Sequence, residues 1–315
     1  MLTRRTVILA KREATYGTDP AMTGSDGIVA WDVDLTIDGE VLKRDVMRDT
    51  LSPLSHVIGL RESSLTFKTE LKGAGISGTD TNLPQVDDLI TACGFGTAVK
   101  SGTSQTYSLV SDEASISSVA LKVYKDGNLH KLTGARGTVK FNLMAGKFGE
   151  MEWEFKGIWN SVIASTIPDI GGLPEASSLV PIVYNSSFQI SGFSPVCSQL
   201  NIDLANEIAR RDDLNAASGV QGFRLTGRVP KMDFMADAVV ESSNSFWGDW
   251  ASSVVGTFGI LIGSNAGNKI GISGNWQTET NKYGDSDGIS IYEVSASLVS
   301  STDNDQNDEL VLAFY

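Results

Sequence analysis

The chain has 315 residues, with 25 Lys or Arg against 38 Asp or Glu, and its formal net charge is −13. Because 41% of the residues are apolar, the chain can bury a large core, which excludes an intrinsically disordered protein. The longest early apolar run, residues 7–10, is too short for a secretory signal or a membrane span, so we expect a protein kept in a cytoplasm-like compartment.

Alternation of apolar and polar residues predicts strands in the first half of the chain. In residues 64–71, for example, Leu65, Phe67 and Leu71 share one face. An Asp-Gly pair at 126–127 separates two further runs and predicts a hairpin turn. The predicted strands cover residues 64–71, 118–124, 129–132, 138–143 and 149–155.

The last of these predicted strands, residues 149–155, has one apolar and one acidic face. The apolar residues are expected to face a core. They are Met151, Trp153 and Phe155. The opposite face carries an acidic row formed by Glu150, Glu152 and Glu154.

Two segments carry helix signals. Residues 84–94 have a proline near the start, acidic residues in the first turn and glycine at the end, which predicts a short capped helix. Residues 245–254 have apolar side chains at helical spacing, which predicts a helix with one face packed on a sheet. That predicted face consists of Trp247, Trp250, Ala251 and Val254.

The sequence contains a weak internal repeat at a constant shift of 167 residues. Five identities fall in a window of 32 positions, where about two are expected by chance. The order of predicted elements repeats as well, and a duplicated β-rich domain accounts for both observations. We therefore expect domains at residues 1–166 and 179–315, joined by a Pro-, Gly- and Ser-rich linker at 167–178. The identical pairs are Glu40/Glu207, Arg44/Arg211, Asp45/Asp212, Arg61/Arg228 and Phe67/Phe234.

The residues that usually carry chemistry occur without a recognisable motif. His56 and His130 have no His or Cys at ligand spacing, and Cys93 and Cys197 lie in apolar sequence, which favours buried free thiols. Residues 73–78 have the spacing GxGxxG, but no helix signal follows, so we interpret them as a loop and not as a phosphate site. We expect no catalytic, cofactor or metal site.

The charge is distributed unevenly along the chain. Residues 1–165 carry 18 basic and 20 acidic side chains, whereas residues 166–315 carry 7 and 18. Tight nucleic-acid binding comes mostly from Lys and Arg that neutralise phosphates, so this surface argues against it. The same surface is compatible with DNA that passes without sticking.

Seven segments and one tryptophan pair are informative through their order along the chain. They are residues 9–19, 70–75, 89–95, 125–137, 262–268, 285–289 and 307–314, with Trp247 and Trp250. In that order they resemble the tail tube proteins of long-tailed bacteriophages and related prophages. The resemblance covers nearly the whole chain.

This resemblance implies a mainly β fold, here as two tandem β-sandwich or barrel domains of the tail-tube type, each with a short flanking α-helix. Such units form rings, an inner sheet lines a channel, and the rings stack into a tube that conducts the genome. Most tube subunits have one domain and form hexamers, so a chain with two domains is expected to form a trimeric, pseudo-sixfold ring. A hexamer is the alternative. Closed symmetry would protect the sheet edges.

The resemblance also assigns roles to surface residues. The long segment 43–61 and its counterpart 210–228 are interpreted as loops that reach a neighbouring subunit or ring, or else as solvated loops. Their charged residues are Arg44, Asp45, Arg48, Asp49, Arg61, Arg211, Asp212, Asp213 and Arg228. A basic N-terminal segment is interpreted as an arm, or as a segment disordered until assembly. Its charged residues are Arg4, Arg5, Lys11 and Arg12. The row Glu150, Glu152 and Glu154 fits a channel wall or an ordinary solvated strand face.

The sequence therefore predicts a non-enzymatic major tail tube subunit of the virion tail, assembled in the bacterial host cytoplasm without a cofactor or a membrane. Expected partners are further copies of the chain, tail tip or initiator and terminator proteins, and a tape measure protein in the lumen. The alternative is a β-sandwich adhesin or carbohydrate-binding module, since six tryptophans could offer a stacking platform. An enzyme ranks third because no carboxylate pair has a distinctive context.

Overall fold

A computed structural model shows a mainly β protein with antiparallel strand pairing. The structure describes residues 2, 4–74, 83–101, 104–170, 180–265, 267–301 and 307–315. Its strands are β1 Thr6–Arg12, β2 Gly27–Ile28, β3 Trp31–Leu42, β4 Val57–Glu70, β5 Val99–Ser101, β6 Ser104–Ser108, β7 Val119–Lys125, β8 Asn128–Met144, β9 Glu150–Trp159, β10 Ile163–Ala164, β11 Gln189–Ile190, β12 Cys197–Asp203, β13 Asn206–Asp212, β14 Val220–Arg228, β15 Lys231–Asp237, β16 Val255–Ile262, β17 Ile270–Ser286, β18 Ile289–Leu298 and β19 Leu310–Phe314.

The strands predicted from alternation are confirmed. The runs fall in β4, β7, β8 and β9, and the turn at 126–127 joins β7 to β8 with a positive φ at both Asp126 and Gly127. The predicted inward side chains are all buried. Phe67 stacks on Trp153 and Phe155 at centroid distances of 6.4 and 6.0 Å. Period-two patterns therefore identified both the strands and the core faces of β4 and β9.

Two short α-helices occur within the predicted segments, α1 at Asp87–Ala92 and α2 at Phe246–Ala251. The predicted buried face of α2 is wrong. Phe246 is the buried residue, at 2% exposure, whereas Trp250 and Val254 are exposed at 46% and 44%. A helix of six residues makes fewer than two turns, so one well-placed aromatic ring determines its packing more than a periodic stripe does.

Eight strands form the main sheet, in the order β3-β4-β9-β8-β12-β15-β18-β17. The first four precede residue 160, and the last four follow residue 196. The join between the two groups is the antiparallel pairing of β8 with β12, in which Phe141 lies opposite Ile202. We call this pairing the internal junction.

Apart from β13 and β14, which form a separate two-stranded sheet, the remaining strands form a second set that shares two long strands with the main sheet. β1 pairs with β2 and β7, and β7 pairs with the first part of β8. β16 and β19 pair with the first part of β17, and β19 also pairs with β6. β8 and β17 each have 17 residues, and both run from this second set into the main sheet.

Two hairpins in the main sheet have the same register at the 167-residue shift. Leu35 lies opposite Leu65 in β3–β4, and Ile202 lies opposite Met232 in β12–β15. Further along, the β3–β4 pairs Gly39↔Arg61 and Val41↔Ile58 match the β13–β14 pairs Asn206↔Arg228 and Ile208↔Leu225. The second hairpin differs in that it is divided, because Pro230 lacks a backbone N–H and Ala205 has a φ of +46°.

The predicted linker is described only in part, since residues 171–178 lie outside the described residues. Ile167 and Ile170 pack against the small cluster of Leu9, Tyr124 and Leu129. The GxGxxG match at 73–78 also lies mostly outside the described residues, which include only Gly73 and Ala74 of it.

A buried polar cluster ties β1 to α1 and β6. The Asp87 carboxylate accepts hydrogen bonds from Arg12 Nη2 at 2.6 Å and from the Tyr107 hydroxyl at 2.7 Å. Asp87 is 7% exposed and Tyr107 is fully buried. Burial and the adjacent carboxylate both raise the pKa of Tyr107, so the phenol stays protonated and donates.

We expect Asp87→Ala to lower the free energy of unfolding by about 2–3 kcal/mol, because it leaves the buried Tyr107 hydroxyl without its acceptor and removes the closer carboxylate partner of Arg12. Urea unfolding of the purified protein measures the loss. The control is Asp88→Ala, which removes a more exposed partner of Arg12 and is expected to lower it by less than about 1 kcal/mol. Equal losses in the two variants would contradict a structural role for the buried cluster.

Candidate functional site

The main sheet has one polar face, on which charges of opposite sign alternate from strand to strand. In one row, five residues lie in register on adjacent strands. In strand order they are Lys231, Asp203, Lys140, Glu152 and Lys68. Lys140 Nζ lies 3.1 Å from the Asp203 carboxylate, and this hydrogen bond raises the pKa of Lys140. The row crosses the internal junction, so both halves of the chain contribute to one continuous surface.

The predicted acidic row lies on this face. Glu150 and Glu152 are half-buried, whereas Glu154 is exposed. Glu152 is flanked by the two lysines of the charged row, but Glu154 is flanked by Thr66 and Thr138, and Glu150 by Glu70 and Asn142. The rows on either side of the alternating row are therefore neutral or acidic, and the lysines are separated from one another by carboxylates.

The main sheet ends in two strand edges. Among the described residues, β3 pairs only with β4, and residues 278–286 of β17 pair only with β18. At the β17 edge, Tyr283 is 63% exposed and contacts Trp247 and Tyr292 at centroid distances of 5.4 and 5.1 Å. Unpaired edges of this kind attract another strand, and this sheet has one at each end. Neither edge was predicted from the sequence.

The predicted loop 43–61 begins in a connection without regular structure and ends in β4. Arg44 closes it by donating to the Ser55 carbonyl at 3.1 Å, and Asp45, Arg48 and Asp49 are exposed. Arg61 differs from these residues, because its guanidinium lies 4.5 Å from the centre of the Trp159 ring. Asp45, Arg48 and Asp49 are therefore available to a partner outside the chain. Arg61, in contrast, already has a partner within the chain.

The counterpart segment 210–228 is more strongly tied within the chain. Arg228 donates to Glu309 at 2.6 Å, to the Val110 carbonyl at 2.8 Å and to Asn307 at 2.6 Å. Asp212 accepts from Arg210 at 2.8 Å, and Asp213 accepts from the backbone of Asn215. Arg211 is exposed and lines a cavity of about 430 Å³. Sequence alone did not distinguish Arg228 from the loop residues, because a contact within the chain and one between chains need the same residue type.

The basic N-terminal residues lie in the fold and not in an extended arm. Lys11 and Arg12 belong to β1, which is paired on both sides because its apolar run 7–10 belongs in the core. Lys11 pairs with Asp26 at 3.3 Å, and Arg5 pairs with Asp126 at 2.9 Å. Arg4 is exposed in the turn before β1.

The tryptophans do not form an open stacking platform. All six lie within the described residues, and Trp250 is the only one that is exposed. It stands edge-on to Trp247 at an interplanar angle of 86°, and its indole N–H donates to the Glu279 carbonyl. Trp153 and Trp276 are buried. This arrangement gives little support to the carbohydrate-binding alternative, which relies on flat exposed rings.

The two cysteines considered for chemistry are both shielded from solvent. Cys93 is fully buried and Cys197 is partly buried, and burial raises the pKa of the Cys93 thiol well above its usual value and that of Cys197 to about 11. Within the described part of the chain, no group of three His, Cys, Asp or Glu residues is placed to hold a metal ion. Likewise, none of the helices described is long and apolar enough to cross a membrane.

A β-rich chain with one polar sheet face, and with two sheet edges left unpaired by the described residues, has the features of a structural protein. Residues 3–298 match the family described as phage tail tube protein. The chain therefore belongs to the phage tail tube protein family and is a component of a phage tail. A comparison with curated proteins gave no match.

Proposed function

We propose that this chain is the major tail tube subunit, that it assembles into stacked rings, and that the polar faces of its main sheets line a channel for DNA. The observation that carries the proposal is the internal junction. It joins two four-stranded halves, each of which contains a hairpin of the same register, at the shift at which the sequence itself repeats. We interpret the two halves as duplicated domains, residues 1–166 and 179–315.

A second copy can repeat the internal junction at the outer edges of the sheet. β3 of one copy would occupy the position of β12, and β17 of the next copy would occupy the position of β8. The register follows from the matched pairs. Ile202 lies opposite Phe141 inside the chain, so Leu35 is expected to lie opposite Tyr283 of the neighbour.

Three copies would place six domains in each ring, as the resemblance to single-domain hexamers implies, and we prefer this trimer to a hexamer. Phosphates would pass a wall whose lysines are separated by carboxylates, so DNA would slide without specific contacts. Tail tip or initiator, terminator and tape measure proteins would complete the assembly in the host cytoplasm. The proposed role includes no catalysis.

Electron microscopy with mass measurement, at rising protein and salt concentrations, tests the assembly. Salt matters because copies that each carry a net charge of −13 repel one another until the repulsion is screened. Rings with three chains support the proposal. Rings with six chains would still support a tail tube function but would contradict the trimeric ring. A chain that never assembles, even on tail-tip nuclei, contradicts the proposed function.

The register has its own test in the double variant Leu35→Cys with Tyr283→Cys. Cross-strand neighbours lie at about 5 Å between Cβ atoms, close enough for a disulfide or a short thiol cross-linker. Oxidised rings are expected to give a covalent series that closes at three chains. The matched control is Leu35→Cys with Ser286→Cys, which lies on the same edge but out of register and is expected to give no link.

A further inference from the structure

The second-half hairpin ends in the β13–β14 extension, which packs on the first half of the same chain. Asn206 Nδ2 donates to the carbonyls of Cys93 at 2.7 Å and Gly137 at 2.9 Å. The backbone N–H of Phe223 donates to the Tyr16 hydroxyl at 2.7 Å, and Phe223 is only 1% exposed. The extension therefore covers the end of α1 and part of β8, beside the internal junction.

The matching extension of the first half, residues 37–61, has the same register but is not covered in this way. We call it the first extension. At the 167-residue shift, Val41 and Ile58 correspond to Ile208 and Leu225. Val41 and Ile58 are 50% and 46% exposed, and Ile37, Leu42 and Val57 are exposed as well. An apolar hairpin of this kind in an otherwise acidic protein marks a contact surface.

The surface that would receive the first extension lies at α2 and β17, which have the places in the second half that α1 and β8 have in the first. Both helices end in a residue with positive φ, Gly94 after α1 at +90° and Ser253 after α2 at +52°. Near Ser253, the side chains of Trp250 and Val254 are exposed, and Trp247 connects Trp250 to the exposed ring of Tyr283. This patch borders the unpaired edge of β17.

The contact within the chain shows how the two surfaces would meet. A Cβ at Gly94 would lie 3.6 Å from Leu225 Cδ1 of the β13–β14 extension. Ser253 is the counterpart of Gly94, and Ile58 is the counterpart of Leu225. The equivalent contact between two copies would therefore bring Ile58 of one copy against Ser253 of the other. This contact would also place the exposed apolar first extension on the exposed patch at α2 and β17, so that both surfaces would be removed from water together.

We infer that the first extension of each copy lies across α2 and β17 of the next copy in the same ring, with Ile58 at Ser253 of that neighbour. This inference rests on the proposed ring and adds to it the identity of the partner. A loop at this position could contact either a neighbouring subunit or the next ring, and the geometry points to the lateral neighbour. The expected occupant of the aromatic patch is therefore a second copy of this chain.

The test is the double variant Ile58→Cys with Ser253→Cys in the full chain, treated with a short thiol cross-linker after assembly. We expect covalent links between copies within a ring, absent from either single variant. The native thiols of Cys93 and Cys197 are expected to react little with the cross-linker at neutral pH, because burial raises the pKa of both. The matched control is Leu51→Cys with Ser253→Cys, which uses the fully exposed loop and is expected to link weakly or not at all.

The result separates this inference from the proposed function. In one outcome, rings form in which the Leu35→Cys with Tyr283→Cys variant cross-links but the Ile58→Cys with Ser253→Cys variant does not. That result would support the ring and overturn the lateral docking of the first extension. If no rings form under any condition, both proposals fail. Urea unfolding of each variant shows that a missing link does not reflect a misfolded chain.

Discussion

Replacing Tyr283 by lysine is expected to abolish ring formation while leaving the chain folded. In the proposed ring Tyr283 has the place of Phe141, which is fully buried at the internal junction. A lysine there would bring an inward-pointing charge into a strand pairing, a device by which proteins prevent edges from associating. Because Tyr283 is 63% exposed in the single chain, the free energy of unfolding is expected to fall by no more than about 1 kcal/mol.

Sedimentation and electron microscopy measure this effect, and Tyr283→Phe is the matched control. Phenylalanine keeps the ring that contacts Trp247 and Tyr292 and removes only the hydroxyl, so its assembly is expected to match that of the unmodified chain. Normal tubes formed by Tyr283→Lys would show that the β17 edge is not part of the ring contact. They would also contradict the proposed pairing of Leu35 with Tyr283 of the neighbouring copy.

Virions carrying Glu154→Lys are expected to assemble normally and to release DNA about tenfold more slowly at low salt, because added positive charge on a channel wall would bind phosphates. Glu154 suits this test because it is exposed and lies between Thr66 and Thr138. Glu152→Lys suits it less, since Lys68 and Lys140 flank that position and like charges on adjacent strands destabilise the sheet.

The release rate is measured by the fluorescence of a DNA-binding dye after triggered ejection in vitro. Raising the salt is expected to restore the rate, because screening weakens phosphate contacts. Glu154→Gln is the control, since it removes the negative charge without adding a positive one and is expected to change the rate little. An unchanged rate of DNA release from Glu154→Lys virions at low salt would show that the polar face does not line the channel.

The sequence allowed the strands with strict alternation to be predicted, because β4 and β9 have one buried and one polar face. It did not allow β17 to be predicted. Residues 278–286 are almost entirely polar, since this stretch lies at a sheet edge and contributes few side chains to the core. Among the strands that were not predicted, β17 is one that we propose to be completed by another chain, where the pattern within one chain carries least information.

The roles of charged residues were harder to predict than the strands. Arg44 and Arg211 are equivalent in the repeat, as are Arg61 and Arg228, yet Arg228 binds Glu309 whereas Arg61 stacks on Trp159. Positions related by the 167-residue shift thus have different partners, because the second hairpin meets the first half of its own chain. Only the tertiary arrangement distinguishes these cases.

The covalent connection across the internal junction has a consequence for the kinetics of assembly. Two strands tethered in one chain meet at an effective concentration in the mM range, whatever the concentration of the protein. In a ring of three such chains, half of the strand junctions would already form during folding. Ring nucleation would then scale with about the third power of subunit concentration, instead of about the sixth for separate domains. Fusion of the two halves would therefore let tubes begin at subunit concentrations at which single-domain subunits remain dispersed.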